Sequence, residues 1–399
     1  MVDETQFAIL DSFVKDNKRI FKRMLLRYYP LTDAVLTKSF DKSSDGAIHW
    51  DELCKNVVMN WTKEFINKYK KKIPWDDLCA NPVVFAGREQ EMIELFKNDL
   101  RWNYLSGNRG VKFTKEMIDK YADKIDFVEL SQNPSVQWTE EILIKYGKKL
   151  SWKHIRLNPG VKWTLDMIDR VCKGTGNEDI IPLYFTEAEG MAWSEKDLDR
   201  DLDKDGKVLD AAKSEKSLWP QVIPMAWDKL SVNEGLPWSE AFYNKYKDCI
   251  YLNRMSRLRK FPWTEAFIAK YAEKLDWWEI SGNTAIPWTE AIIKKYEKKW
   301  TWQSTGRDEW RLSGLSGNPS LPWSEKFIDA WLAKWAPRTI TQNTGLPWSI
   351  EFLNKYKDKL RLAMTELHTN KGFWDKALKP LVNDEVIEKL FTKYYGPTN

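Results

Sequence analysis

Trp263-Thr264-Glu265-Ala266-Phe267-Ile268-Ala269-Lys270-Tyr271 decides the fold, because variants of it return along the chain at a fixed interval. With the opening aromatic taken as position 0, copies begin at Trp61, Phe113, Trp138, Trp163, Trp193, Trp238, Trp263, Trp288, Trp323 and Trp348. Successive starts lie 52, 25, 25, 30, 45, 25, 25, 35 and 25 residues apart. The period is 25. The widest gap hides a degenerate copy at Arg88, and the other long gaps carry insertions of about 5, 20 and 10 residues. Self-similarity at a period of this size signals an array of small units, and it has to be settled before any division into domains.

Each copy reads as two helices. Thr264 is an N-cap whose hydroxyl accepts from a first-turn N–H. Trp263 before it and Ile268 inside can form a hydrophobic staple. Glu265 at the start and Lys270 and Lys274 towards the end suit the helix dipole. Phe267, Ile268, Tyr271 and Leu275 share one face, which predicts a helix of about eleven residues. A short helix follows over Asp276-Trp277-Trp278-Glu279-Ile280-Ser281. It stops at Asn283, one of a column at +20 with Asn81, Asn108, Asn133, Asn158, Asn233 and Asn343. In three copies that Asn precedes Pro (Pro82, Pro134, Pro159), and a residue before proline is driven out of the helical region. A 25-residue helix pair cannot enclose its own apolar face, so stacking must bury it. Of the 23 Trp, nine stand at position 0 and six more at +14, which makes indole an architectural residue here. The expectation is an all-α chain, an α-solenoid of two-helix repeats with helical caps, in which the Asn column bonds one repeat to the next.

The unit Leu-Pro-Trp-Ser-Glu, Phe-Ile, Lys-Tyr, Trp and Leu-Ser-x-Asn resembles Trp-rich tandem helical repeats of uncharacterised bacterial and giant-virus proteins, over roughly residues 50–375. The resemblance implies the repeat fold and no activity. The inserted acidic loops and the N-terminal segment depart from the simple tandem pattern.

Residues 1–40 lack the repeat. Phe7, Leu10, Phe13 and Val14, then Ile20, Phe21, Met24 and Leu25, predict two amphipathic helices that cap the array. The repeats run over 41–373 with an acidic insertion at about 194–226, and 374–399 forms the C-terminal cap around Val386, Ile387, Leu390 and Phe391. The 399 residues are 43% apolar and carry a net charge of +5, which excludes wholesale disorder. No apolar run of membrane-spanning length exists. The N-terminal residues lack a secretion signal, and the four cysteines read as reduced thiols in a cytoplasmic protein.

Two loops carry candidate chemistry. Asp41-Lys42-Ser43-Ser44-Asp45-Gly46-Ala47-Ile48-His49-Trp50-Asp51-Glu52 looks like an EF-hand calcium loop, with oxygen ligands at Asp41, Ser43 and Asp45, the Ala47 carbonyl, and Glu52 as the bidentate acid. The competing reading is that Glu52 is a repeat position. His49-Trp50-Asp51-Glu52-Leu53-Cys54-Lys55-Asn56 matches Pro74-Trp75-Asp76-Asp77-Leu78-Cys79-Ala80-Asn81 one period later, and Asp41 and Asp45 are then solvated turn residues. The second loop offers Asp201, Asp203 and Asp205 before Gly206, but Ala212 replaces the acid of the calcium pattern. Solvated loop is its alternative.

Lys-Tyr recurs at +7 and +8, and a second lysine at +11. Lys120, Lys124, Lys145, Lys149, Lys270, Lys274, Lys295 and Lys299 would align on stacked helices into a basic stripe able to follow a phosphate backbone. A parallel row of acids at +2 and +3 makes a solvated, dipole-favoured face the rival reading. Enzyme signatures are absent: His49, His154 and His368 are scattered, and Cys54 and Cys79 sit at +18 where other copies carry Ser. The sequence therefore points to a non-catalytic protein-binding scaffold, possible calcium loops included. The alternatives are a nucleic-acid-binding solenoid using the lysines, and a structural component of a larger assembly.

Overall fold

The computed structural model describes residues 4–40, 48–176, 185–186, 188–191, 193–199, 227–303 and 314–396. It is all-helical, 56% helix, with no strand among the described residues. None of its helices is long and apolar enough to cross a membrane. The described chain divides into two compact bodies, one of residues 1–84, 277–284 and 288–399, the other of residues 85–276 and 285–287.

Among the described residues, the segments that open on an aromatic followed by Thr or Ser start their helices alike. Thr264 has extended backbone angles, and its hydroxyl accepts from Phe267 N at 3.1 Å. Thr62, Thr114, Thr139, Thr164, Thr289, Ser239, Ser324 and Ser349 cap their helices with the same bond. The opening indole meets the ring four residues on, as in Trp263–Phe267 at 5.7 Å and Trp61–Phe65 at 5.7 Å. The first helix is shorter than its apolar pattern predicts: Glu265–Tyr271 has seven residues. After Tyr271 the chain tightens, with Lys274 N–H bonding the Tyr271 carbonyl at 2.8 Å. Just past this turn the preceding unit takes hold of the chain: Ser256 Oγ accepts from Asp276 N at 2.9 Å. The same serine-to-backbone bridge joins Ser131 to Ser151, Ser231 to Tyr251 and Ser316 to Ala336.

Asparagine supplies the other link between successive units. Asn158 Nδ2 donates to the carbonyls of Ser131 at 2.9 Å and Asn133 at 3.0 Å, and its Oδ1 accepts from Gly160 N at 2.8 Å. In the second body Asn133 does the same to Ser106 and Asn108. In the first, Asn81, Asn318, Asn343 and Asn370 each reach the preceding unit's carbonyls. The Asn carbonyl itself accepts from the next indole, as in Trp138 Nε1 to Asn133 at 3.1 Å and Trp348 Nε1 to Asn343 at 2.8 Å. A buried amide with both donors and its acceptor engaged leaves no uncompensated desolvation. Backbones approach closely beside it: a Cβ on Gly160 would lie 2.3 Å from the Pro134 carbonyl oxygen.

In the first body the two chain-terminal segments, expected as separate caps, are each other's partners. Glu4–Asp16 and Lys18–Tyr28 bury Leu10, Phe13, Val14, Phe21, Met24 and Leu25. Phe13 packs on Phe373 at 5.7 Å, Tyr28 stacks on Trp374 at 6.0 Å, and Phe40 meets Phe391 at 4.4 Å. Tyr28 OH donates to the Thr369 carbonyl at 2.7 Å, and Lys393 pairs with Asp11 at 2.8 Å. Each segment presents one apolar face, and each covers the other's.

Candidate functional site

Two lysines of the expected stripe, Lys120 and Lys145, grip carboxylates of the preceding unit. Lys145 Nζ and Tyr146 OH both donate to Asp119 Oδ1, at 2.9 and 2.6 Å. Lys120 and Tyr121 hold Glu94 in the same way, Lys68 and Tyr69 hold Asp33, and Lys245 and Tyr246 hold Asp199. Asp119, Glu94 and Asp199 all stand at +6 of their copies. The lysine and phenol bonds hold Glu94 down at about 2 and Asp119 below its usual range. Burial and the acceptor Asp119 push the Tyr146 phenol up to about 12. Each ammonium also lies over its neighbouring ring, Lys145 at 5.5 Å and Lys120 at 5.1 Å, a cation–π contact. Ahead of Lys270 and Lys295 the +6 residues are Asn244 and Ala269, and there each lysine lies over the following tyrosine at 5.2 and 5.3 Å. In the second lysine column, Lys149 covers Phe127 at 5.1 Å and Lys299 covers Trp277 at 5.5 Å. Lys124 and Lys274 are exposed. Lys120, Lys145, Lys149 and Lys299 thus fasten unit to unit, and Lys120 and Lys145 face carboxylates where they stand.

Of the expected calcium ligands, Asp41, Ser43, Asp45, Ala47, Asp201, Asp203 and Asp205 lie outside the described residues. Glu52 is described, and its carboxylate is engaged by cations of the chain itself. Arg23 donates to Oε1 from Nε at 3.2 Å and from Nη2, and Arg27 Nη1 donates to Oε2 at 2.8 Å. His368 Nε2 stands 3.3 Å from Oε1, while its Nδ1 faces the Thr365 carbonyl at 2.9 Å. Glu52 is 2% exposed. Burial alone would raise its carboxyl, but the bonds from His368, Arg23 and Arg27 outweigh that and hold it well below the usual range. This arrangement differs from the bidentate acid of a calcium loop, which turns its oxygens to the ion. Here they bind the Lys18–Tyr28 helix and the Met364–Thr369 segment. Arg23 and Arg27 are four residues apart, the spacing that puts both on one helix face, and that spacing was the only sequence signal for the cluster. Among the described residues no group of three or more His, Cys, Asp or Glu could hold a metal ion.

A third feature lies on the short helices of the second body. Trp102–Ser106 and Trp152–Ile155 both pack against Phe127–Gln132. Positions +14, +17 and +20 keep their character through the three copies: Trp102, Leu105 and Asn108, then Phe127, Leu130 and Asn133, then Trp152, Ile155 and Asn158. Positions +15, +16 and +19 do not: Asn103, Tyr104 and Gly107 become Val128, Glu129 and Gln132, then Lys153, His154 and Leu157. This changing face holds large apolar side chains in the open, Tyr104 at 43%, Val128 at 47% and Leu157 at 36% exposure. The constant positions build the unit, so the changing ones are where function can be written. Comparison of the chain with protein-family models, with curated proteins and with solved structures returns no match.

Proposed function

We propose that the chain is a non-catalytic protein-binding scaffold, a Trp-rich α-solenoid of 25-residue two-helix repeats whose short helices carry the recognition surface. The observation that carries the reading is the contrast just described. Within one sequence, the packed aromatic, aliphatic and Asn positions hold while their neighbours change chemistry and leave Tyr104, Val128 and Leu157 open. Exposed apolar side chains grouped on neighbouring helices favour protein contact. The nucleic-acid reading is less well supported, because it needs lysines whose charge can face phosphate, and Lys120 and Lys145 face Glu94 and Asp119. Placing a photo-crosslinking amino acid at position 128, and at 124 on the lysine side, tests the proposal in the native host. Protein adducts from 128 and few from 124 are expected. Adducts from neither position, or nucleic acid captured at 124, would overturn it.

A further inference from the structure

The face made by the Trp102–Ser106, Phe127–Gln132 and Trp152–Ile155 helices is not neutral. Exposed Arg109, Lys153 and Lys162 lie on these helices and the loops that follow them. Two carboxylates share the face, and both have local work. Asp126 Oδ1 accepts from Val128 N at 2.9 Å and Glu129 N at 3.1 Å, capping its helix. Glu129 accepts from Gln132 Nε2 at 3.4 Å and lies over Gly107. The acids of the adjoining helix start are paired as well, Glu140 with Arg170 and Glu141 with Lys115. Cationic charge therefore exceeds anionic charge around the three open apolar side chains. The same positions in the Trp75–Ala80 helix are Asp76, Asp77 and Ala80, so the basic, apolar character belongs to this set of copies and is not imposed by the unit.

We infer that this face binds an acidic protein segment that also carries apolar side chains, a refinement that rests on the scaffold reading above. Tyr104, Val128 and Leu157 receive the apolar groups, and Arg109, Lys153 and Lys162 receive the carboxylates. Packed helices stand roughly 8–10 Å apart, and a polyproline II chain rises about 3.1 Å per residue with three residues per turn, so every third side chain returns to one face. An apolar residue at every third position therefore matches the helix spacing, with acids between. Charge complementarity of this kind sets partner choice and speeds encounter.

The test uses the full chain and a fluorescein-labelled twelve-residue peptide repeating Asp-Glu-Leu. A Lys-Lys-Leu peptide and an Asp-Glu-Ser peptide serve as comparators, with anisotropy read at two salt concentrations. Saturable binding of the Asp-Glu-Leu peptide alone is expected, weakened at least tenfold by Val128→Glu and by Lys153→Glu. Both residues are exposed, and unchanged circular dichroism and melting confirm that the variants fold. Equal binding of the basic peptide, no saturation below about 1 mM, or indifference to both substitutions would overturn the inference. Adducts from position 128 without acidic-peptide binding would refute the acidic ligand while leaving the scaffold standing. Loss of both would remove the two together.

Discussion

Asn158→Ala isolates the link between successive units. The side chain is 3% exposed and makes three bonds: two from Nδ2 to the Ser131 and Asn133 carbonyls, and one from Gly160 N to Oδ1. Truncation strands these groups unequally. The Asn133 carbonyl keeps the Trp138 indole N–H at 3.1 Å, whereas the Ser131 carbonyl and the Gly160 N–H lose the amide. A buried polar group left unmet costs about 1–3 kcal/mol, and the Gly160 site is only partly buried, so the sum is about 3 kcal/mol. At 1.4 kcal/mol per decade this raises local opening roughly a hundredfold. Two compact bodies need not melt in one transition, so the assay is hydrogen exchange over residues 127–165, which reads local opening directly. Exposed Gln132→Ala is the reference and should stay within about 0.5 kcal/mol. Asn158→Asp should be at least as damaging as alanine, since a carboxylate would face two carbonyl oxygens. Exchange in Asn158→Ala within about threefold of the parent chain would refute the reasoning, because desolvation arithmetic of this kind would then not govern the ladder.

Three further outcomes are expected. Glu52→Gln leaves Arg23 and Arg27 without their counter-charge and should cost about 3–5 kcal/mol, read as a lower urea midpoint for release of the terminal segments. Because the folded Glu52 carboxyl sits below its ordinary range, its contribution is present above the unfolded carboxyl's pKa of about 4.3 and is lost as pH falls below that. The parent chain should therefore show a steeper loss of stability on acidification than Glu52→Gln, and parallel pH profiles would contradict the cluster. Lys145→Ala removes an exposed pair with Asp119, and such pairs contribute little, so melting should be nearly unchanged, with binding to duplex DNA unchanged across a salt series. A weakened, salt-dependent affinity would return the lysine column to the nucleic-acid reading. Thr139→Ala deletes the cap on Ile142 N and should cost about 1 kcal/mol, visible as faster exchange in the first turn of Glu140–Tyr146.

The helix starts and stops were legible because they depend on local chemistry. Thr and Ser caps, and Asn before Pro, act within a few residues of themselves. The Asn column was legible as a role because a polar residue recurring among apolar ones must find partners. Helix length was not legible: Ala272-Glu273-Lys274 would continue a helix by propensity, but the chain tightens after Tyr271 before Asp276 N meets Ser256 of the preceding unit. For the same reason nothing in the sequence marks the serines at +18 as bridges between units. The +6 acids were hidden by the many other acids, since only the packed units show that Asp119 and Glu94 lie opposite the next Lys-Tyr pair. The meeting of Phe13 with Phe373 depends on how the whole first body closes, which no window of sequence contains.

That meeting imposes a schedule on synthesis. Tyr28 and the Thr369 carbonyl it bonds are separated by 341 residues, so at 5–20 residues per second the first helices leave the ribosome roughly 20 to 70 s before their partners exist. Through that interval Leu10, Phe13, Phe21 and Met24 have no final cover. The growing chain must shield them by transient association within itself or by a chaperone. A release from the ribosome a few dozen residues early would leave an otherwise assembled protein with an adhesive end.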